Sequence, residues 1–135
     1  MSLDKVKKLM QEAGWGYLAT TDGQSAAVRP MGGITWVGKE LWGATFEGSD
    51  KVAQLRKKAG AEYCFADKEG RHVRITGPCR VSADKADKEK FWKLTPMLKD
   101  HYTGPDDPKY LVLRMAVSRV RFMDTKDMKY TEVKV

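Results

Sequence analysis

The chain has 135 residues, of which 41% are hydrophobic and 32% are charged, and it carries a formal net charge of +7 at pH 7. This length is enough for one domain with its own core, over residues 1–135, and no apolar run reaches the ~20 residues that a membrane span needs. Because the first ten residues also lack the apolar centre of a signal peptide, the composition predicts a soluble domain and excludes a membrane protein.

Basic residues are dispersed along the chain rather than concentrated in one block. Dispersed lysine is typical of a solvated surface, although a positive balance favours anionic ligands such as phosphate esters or nucleic acid. The two cysteines, Cys64 and Cys79, have no CxxC partner and no histidine at zinc spacing. We therefore expect both thiols to be reduced, in a cytoplasmic protein.

In the first third of the chain, one helix is followed by a series of strands. The helix is predicted to begin after Ser2, a good N-cap residue, and to stop at Gly14. Four strands follow, at residues 15–21, 24–31, 34–37 and 40–46. The first two are joined by Asp22-Gly23, which is typical of a tight hairpin. Turns this short cannot hold parallel crossovers, so the sheet is predicted to be antiparallel.

The rest of the chain continues the alternation of strands and helices. The predicted elements are a helix at 49–59 capped by Gly60, strands at 61–66 and 71–82, a charged helix from 84, a short helix from 96, a strand at 110–123 and a weak edge strand at 128–135. Gly77-Pro78 inside a long strand indicates a bulge or bend. The loop at 103–108 is either a lid or a connector. Six or seven of these strands, antiparallel and with helices inserted between them, predict a small closed β-barrel in an α+β domain.

A candidate anion site lies where the strand at 40–46 runs into the helix at 49–59. We call Thr45, Ser49, Asp50 and Lys51 the anion turn. A small turn before a helix leaves backbone N–H groups free at the positive end of the helix dipole, and the Ser49 hydroxyl and Lys51 ammonium add two donors. Asp50 is expected to turn away and serve the helix N-terminus. On these residues alone, an ordinary capped surface helix is the simpler interpretation.

The segment Arg29-Pro30-Met31 bears on the choice between an ordinary capped helix and a binding site. Proline cannot donate to a strand ladder, so Pro30 predicts that this strand lies at an edge of the sheet. Unpaired backbone groups beside Arg29 suit a planar heterocycle. The alternative is an arginine on a barrel rim and a proline that prevents edge pairing. Taken together with the anion turn, the segment favours a binding site.

A resemblance to the pyridoxamine 5′-phosphate oxidase-like, FMN-binding split-barrel family is carried by the run GYLATTDGQSAAVRPMGGITWVGKELWGATFEGSDKVAQLRKK. It extends over about residues 6–81, through AEYCFAD and HVRITGPCRV. The resemblance implies a mainly β member of the α+β class, a small antiparallel split β-barrel with peripheral helices. It also implies a homodimer with FMN bound between the subunits.

The resemblance also implies which residues would hold the cofactor. They are, at the phosphate end of FMN, Arg29, Thr45, Ser49 and Lys51 and, along the isoalloxazine ring, Pro30 and Met31. Two departures matter: Asp50 stands where true pyridoxamine-phosphate oxidases carry a basic residue, and residues 123–135 lack their C-terminal substrate segment with Arg and His. A general FMN-binding, flavin reductase or stress-type member is therefore expected rather than a true pyridoxamine-phosphate oxidase.

Other candidate residues carry less weight. His72 is interpreted as an ordinary strand residue, and His101 as a helix-end residue with haem ligation as a minor alternative. The tryptophans are interpreted as core or interface residues, with Trp36 or Trp92 best suited to face a flavin. No Ser/His/Asp set, carboxylate pair or metal cluster is visible, so no catalytic side chain or metal site is predicted. In a flavoprotein the cofactor carries the hydride chemistry.

The leading interpretation is an FMN-dependent oxidoreductase that passes electrons from a reduced nicotinamide through FMN to a small-molecule acceptor. The alternatives are a non-catalytic flavin-binding or stress/sensor protein and a basic nucleic-acid-binding barrel. Nucleic-acid barrels interleave Lys and Arg with exposed aromatic residues along one face, whereas here the matched basic residues gather at one small turn. Nucleic acid is therefore not the expected partner.

A homodimer is also predicted from apolar content. Two strands, at 71–82 and 110–123, carry more apolar side chains than one small barrel would be expected to bury. These side chains are Val73, Ile75, Val81, Leu111, Leu113 and Val117.

Overall fold

The computed structural model describes all 135 residues and contains three α-helices, one short 3₁₀ helix and nine strands. The helices are α1 (Leu3–Ala13), α2 (Asp50–Lys57) and α3 (Lys85–Leu94), and the 3₁₀ helix spans Pro96–Asp100. The strands are β1 (Gly16–Thr21), β2 (Ala26–Met31), β3 (Thr35–Val37), β4 (Glu40–Phe46), β5 (Gly60–Ala66), β6 (His72–Ser82), β7 (Tyr110–Ala116), β8 (Arg119–Asp124) and β9 (Lys129–Val133). None of the helices is both long and apolar enough to cross a membrane.

All strand pairs are antiparallel, as the short turns predict. The strand order is β2-β1-β5-β6-β7-β4-β3, with β8 attached to β6 and β9 to β8. The strand that contains Pro30 pairs only with β1, so its edge position is confirmed. After Gly33, at φ +69°, the chain pairs with β4 instead of returning along β2, so the sheet stays open. The split barrel is confirmed; the closed barrel and the smaller strand count are wrong.

The sheet divides along β6. Its first half, His72 to Thr76, pairs with β8, and its last residues, from Cys79, pair with β7. The change of partner falls at Gly77-Pro78, where the sequence predicts a bend. A Cβ on Gly77 would lie 2.1 Å from the carbonyl oxygen of Ala116, so only glycine permits this close approach.

The run at 110–123 forms two strands where one was predicted. On β6 the step from Cys79 to Thr76 is three residues, but the facing step from Met115 to Arg119 is four. One residue is therefore extra, which is the definition of a β-bulge, and β7 and β8 are successive parts of one bulged strand along β6. The bulge explains why the apolar alternation of this run changes register, from Leu111, Leu113 and Met115 to Val120 and Phe122.

The helices pack against the sheet, α1 on β5, α2 on β1 and β6, and α3 on β7. In α1 the Ser2 hydroxyl accepts a hydrogen bond from the Lys5 N–H at 3.3 Å, and Gly14 ends the helix at φ +77°, so both predicted caps are confirmed. Helix α2 is shorter than predicted, and Gly60 begins β5 instead of capping it. The reason is that the chain is already held to β6 at residue 59, whose carbonyl accepts from Cys79 N–H.

The apolar argument for a dimer does not hold, because one chain buries most of the residues on which it rests. Val73, Ile75 and Leu113 are fully buried and Leu111 is 2% exposed. Strand β7 is covered on both faces, by the main core on one side and on the other by a second cluster that includes Phe91 of α3. The homodimer itself stays a prediction.

Candidate functional site

A cavity of about 240 Å³ lies between the open edge of the sheet and the segment formed by α3 and the 3₁₀ helix. Residues 30–33 at the end of β2 form one wall, and residues 44–46 at the end of β4 form the base. The opposite wall comes from residues 91–102. Because β4 is paired with β7 along its whole length, from Glu40 opposite Ala116 to Phe46 opposite Tyr110, the base of the cavity is a rigid part of the sheet.

Two glycines allow the walls to approach each other. A Cβ on Gly32 would lie 3.1 Å from the Trp15 ring, and one on Gly33 would lie 2.8 Å from the Met97 sulfur. Gly33 also has the positive φ that disfavours other residues. At this end the cavity is therefore a narrow slot between backbone and apolar side chains.

Two residues of the anion turn, Thr45 and Lys51, line the cavity, whereas Ser49 and Asp50 do not. The Thr45 and Ser49 hydroxyl oxygens are 3.2 Å apart, and Lys51 Nζ donates to Thr45 Oγ1 at 3.0 Å. Ser49 occupies the N-cap position of α2, but its hydroxyl makes no hydrogen bond to a helix N–H. The first two N–H groups of α2, those of Asp50 and Lys51, also have no backbone acceptor. The Ser49 hydroxyl and the Lys51 ammonium thus both meet the Thr45 hydroxyl, next to the N-terminus of α2.

The charges at this turn are not balanced. Burial and the nearby Arg29 guanidinium lower the pKa of Lys51, and Asp50 offsets this only in part. Asp50 is exposed, does not line the cavity and lies in the first turn of α2, where a carboxylate is favourable at the helix N-terminus. Since two cations are held near each other in a half-buried place, a bound anion would relieve their repulsion.

Arg29 is held differently from the other three residues predicted at the phosphate end. Its NH1 donates to Thr20 Oγ1 at 2.7 Å and to the Leu18 carbonyl at 3.3 Å, and its NH2 donates to Gln54 Oε1 at 3.1 Å. The Thr20 hydroxyl also donates to Gln54 Oε1. Arg29 therefore fastens β1 and β2 to α2 behind the anion turn and does not line the cavity. Its remaining N–H groups are free.

Several residues of the site could not be singled out from the sequence. Trp15 lines the slot and is 60% exposed. Neither of the two tryptophans judged best suited to face a flavin lines this cavity: Trp36 donates its indole N–H to the Met10 sulfur at 3.2 Å, and Trp92 packs on Tyr110. The sequence predicts Trp15 as the first residue of a strand, whereas β1 begins at Gly16, and no local pattern marks Trp15 as a cavity residue.

The far wall also carries His101, Tyr102 and Thr95, which lie more than fifty residues after β2 in sequence. The loop that follows them is held in place: buried Lys88 donates to the Asp107 carbonyl at 2.9 Å, and the Asp107 carboxylate accepts from Thr103 N–H at 3.0 Å. This bonding supports the connector interpretation of the loop over the lid.

The sequence of the chain matches one family model over almost its whole length. A family model described as "Pyridoxamine 5'-phosphate oxidase like" matches residues 1–134. No curated protein matches the chain.

Solved structures with the same fold include a NimC/NimA family protein from Clostridium acetobutylicum, with 23% identity, a TM-score of 0.83 and coverage of 96% of this chain and 89% of the other. A protein related to general stress protein 26 of B. subtilis, also from Clostridium acetobutylicum, has 21% identity, a TM-score of 0.84 and coverage of 98% and 94%. A pyridoxamine 5′-phosphate oxidase-related, FMN-binding protein from Nostoc punctiforme has 13% identity, a TM-score of 0.75 and coverage of 96% and 93%. At these identities the likeness shows the fold alone.

Proposed function

The chain belongs to the pyridoxamine 5′-phosphate oxidase-like family, and on that premise we propose that it is an FMN-binding oxidoreductase. In this proposal electrons pass from a reduced nicotinamide through FMN to a small-molecule acceptor. The observation that carries the proposal is the arrangement of the cavity: Thr45 and Lys51 line it with Ser49 bonded behind Thr45, and a glycine-bounded slot completes it.

The groups present fit the two ends of FMN. Two hydroxyls, one ammonium and two free helix N–H groups form a donor set for a phosphate dianion. The slot beside Pro30 and Met31 has the narrow shape that a flat ring needs. Because β2 is an edge strand, one side of its backbone is free to hydrogen-bond to such a ring. Bound FMN would supply the hydride and electron chemistry, and the chain would bind and orient it.

We also propose that the protein is a homodimer. A cavity of about 240 Å³ is small for a complete cofactor site, since ligand pockets typically enclose ~300–1,000 Å³. The outer face of the β1–β2 hairpin is apolar and exposed: Val28 is 68% exposed and Tyr17, which faces Pro30 across the pair, is 49% exposed. This face continues into the cavity rim through Trp15 and Pro30. A second copy of the chain on this face would extend the cavity and cover the patch.

The proposed location is cytoplasmic, because Cys64 and Cys79 are both free thiols, as is usual for proteins in a reducing compartment. The dispersed basic surface fits this proposal without a nucleic-acid partner.

One preparation of the protein tests the proposal. Purified protein should be yellow, release FMN on heating, and sediment as a dimer at micromolar concentration. Under anaerobic conditions, a reduced nicotinamide should bleach its visible absorbance within minutes. Bleaching by dithionite alone would favour the non-catalytic flavin protein, and a colourless protein that does not take up added FMN would contradict flavin binding altogether. A monomer that still holds its flavin would contradict the proposed dimer.

A further inference from the structure

Thr95 is a buried residue whose hydroxyl has no partner. It joins α3 to the 3₁₀ helix, lines the cavity and is only 6% exposed, yet its Oγ1 makes no hydrogen bond. Only two other side chains of the chain have a buried polar atom without a partner, Tyr63 and Arg121, and neither lines the cavity. Buried hydroxyls are normally satisfied, because leaving one unpaired destabilises the folded chain.

The position of Thr95 assigns it to one end of the cavity. Its methyl carbon is 3.4 Å from the place that a Cβ on Gly33 would occupy, next to the Met97 sulfur. The cationic end is formed by other residues: Lys51 Nζ bonds to Thr45 and lies 5.5 Å from the centre of the Phe46 ring. Thr95 therefore belongs to the slot and not to the anion turn.

We propose that the Thr95 hydroxyl hydrogen-bonds to the polar edge of the flavin ring, at a ring carbonyl oxygen or nitrogen. This inference rests on the proposed function and adds a recognition residue for the ring. A hydroxyl can donate and accept, so it suits an edge that carries both kinds of group. A rotation of about 120° around χ1 moves the hydroxyl to the present position of the methyl group, beside Gly33 in the slot, and moves the methyl group to the position of the β-hydrogen. The missing partner in the free chain is then supplied by the ligand.

The proposal has an unusual consequence for Thr95→Val. Valine keeps the shape of threonine, so the substitution removes the hydroxyl with little change in packing. In the free protein it removes an unpaired buried group and should raise the melting temperature. In the complex it removes a hydrogen bond and should weaken binding. If Thr95 had a purely structural role, the substitution would change the melting temperature and the flavin affinity in the same direction.

The experiment measures dissociation constants for three probes, FMN, riboflavin and lumiflavin, which share the ring and differ in the chain attached to it. For Thr95→Val we expect all three to bind about three- to tenfold more weakly, by a similar factor. The free variant should melt at least about 2 °C higher than the wild type. Thr95→Ser and Thr95→Ala both lack the methyl group, so their difference isolates the hydroxyl: serine should bind the three probes more tightly than alanine. Lys51→Ala, by contrast, should weaken the binding of FMN and leave the binding of riboflavin and lumiflavin unchanged.

Three results would overturn the inference while leaving the proposed function intact. They are unchanged binding of all three probes by Thr95→Val and Thr95→Ala, a loss confined to FMN, and a Thr95→Val protein that melts lower than the wild type. If Thr95→Val does not fold, the serine and alanine pair decides on its own. A wild type that binds none of the three flavins would overturn the proposed function, and this inference with it.

Discussion

The two ends of the cavity satisfy their polar groups in different ways. At the anion turn, Thr45 already bonds to both Ser49 and Lys51, and Asp50 offsets the positive charge of Lys51 and Arg29 only in part. At the slot, the side chains are mostly apolar, and one hydroxyl, that of Thr95, has no hydrogen-bond partner. The first end should therefore select a ligand by its charge and respond to salt, whereas the second should select by shape and a single hydrogen bond.

Removing the charge at the anion turn should have the largest effect. Two or three charge-assisted bonds, each worth ~1.5–3 kcal/mol before desolvation, imply a preference for FMN over riboflavin of roughly a hundredfold or more. Lys51→Ala should lower this ratio at least about tenfold with little change in riboflavin binding, and added salt should narrow the ratio in the wild type. Calorimetric titration with both ligands measures the ratio.

Lys57→Ala is the matched control, because Lys57 is an exposed lysine of the same helix that does not line the cavity. Arg29→Ala should also lower the ratio, but it should destabilise the fold as well, since Arg29 makes three hydrogen bonds within the chain. Equal binding of FMN and riboflavin by the wild type would show that the phosphate is not held at this turn.

Closing the slot should have the next largest effect. In Gly33→Ala the added Cβ would meet the Met97 sulfur at 2.8 Å, so FMN and riboflavin should both bind about tenfold more weakly. The positive φ of Gly33 should also cost about 1–2 kcal/mol of stability, which denaturant unfolding measures.

Gly38→Ala separates the effect of closing the slot from the stability cost of a positive φ. Gly38 has a similar φ, +60°, but a Cβ there has no neighbour within 4 Å. It should lose comparable stability and keep its flavin affinity. If the two alanine variants bind flavin equally well, the narrow slot does not hold the ring.

The smallest effect is expected from pH. Burial and Arg29 lower the pKa of Lys51 below the ordinary 10.5, so the free protein begins to lose this charge at a lower pH than a solvated lysine would. The flavin phosphate stays dianionic there, since its second pKa is ~6. The preference for FMN should therefore decline as the pH rises from 7 toward 10, while riboflavin binding stays constant. Lys51→Arg keeps its charge over this range and should give a flat profile; a decline of equal size in both proteins would contradict this assignment.

The sequence predicts those parts of the molecule that depend on neighbouring residues. The hairpins and the bend at Gly77-Pro78 both involve local spacing, and the structure confirms them. The edge position of Pro30 follows from a missing N–H group, which is a property of one residue. The family is also indicated by a continuous run of motifs, and its expected extent, residues 6–81, is shorter than the match over 1–134.

The remaining parts depend on contacts between distant residues, which no local pattern records. Thr95 and Met97 meet Gly33 only because α3 folds across β7, and the same packing buries both faces of β7 and removes the apolar argument for a dimer. The side-chain direction of Arg29 is a further example. Its type predicts an anion ligand, but its partners Thr20 and Gln54 are fixed by how α2 lies on β1.

The pairing of β4 with β7 also has a consequence for biosynthesis. Glu40 faces Ala116, so the base of the cavity is joined across a sequence separation of more than seventy residues. Contacts of this kind form late, because a long loop must close before they can stabilise anything. On the ribosome, the motifs up to Lys51 emerge early, but the cavity cannot assemble until the segment at 110–116 has been synthesised. A nascent chain that ends before β7 would thus contain every predicted cofactor contact and still have no site in which to retain a flavin.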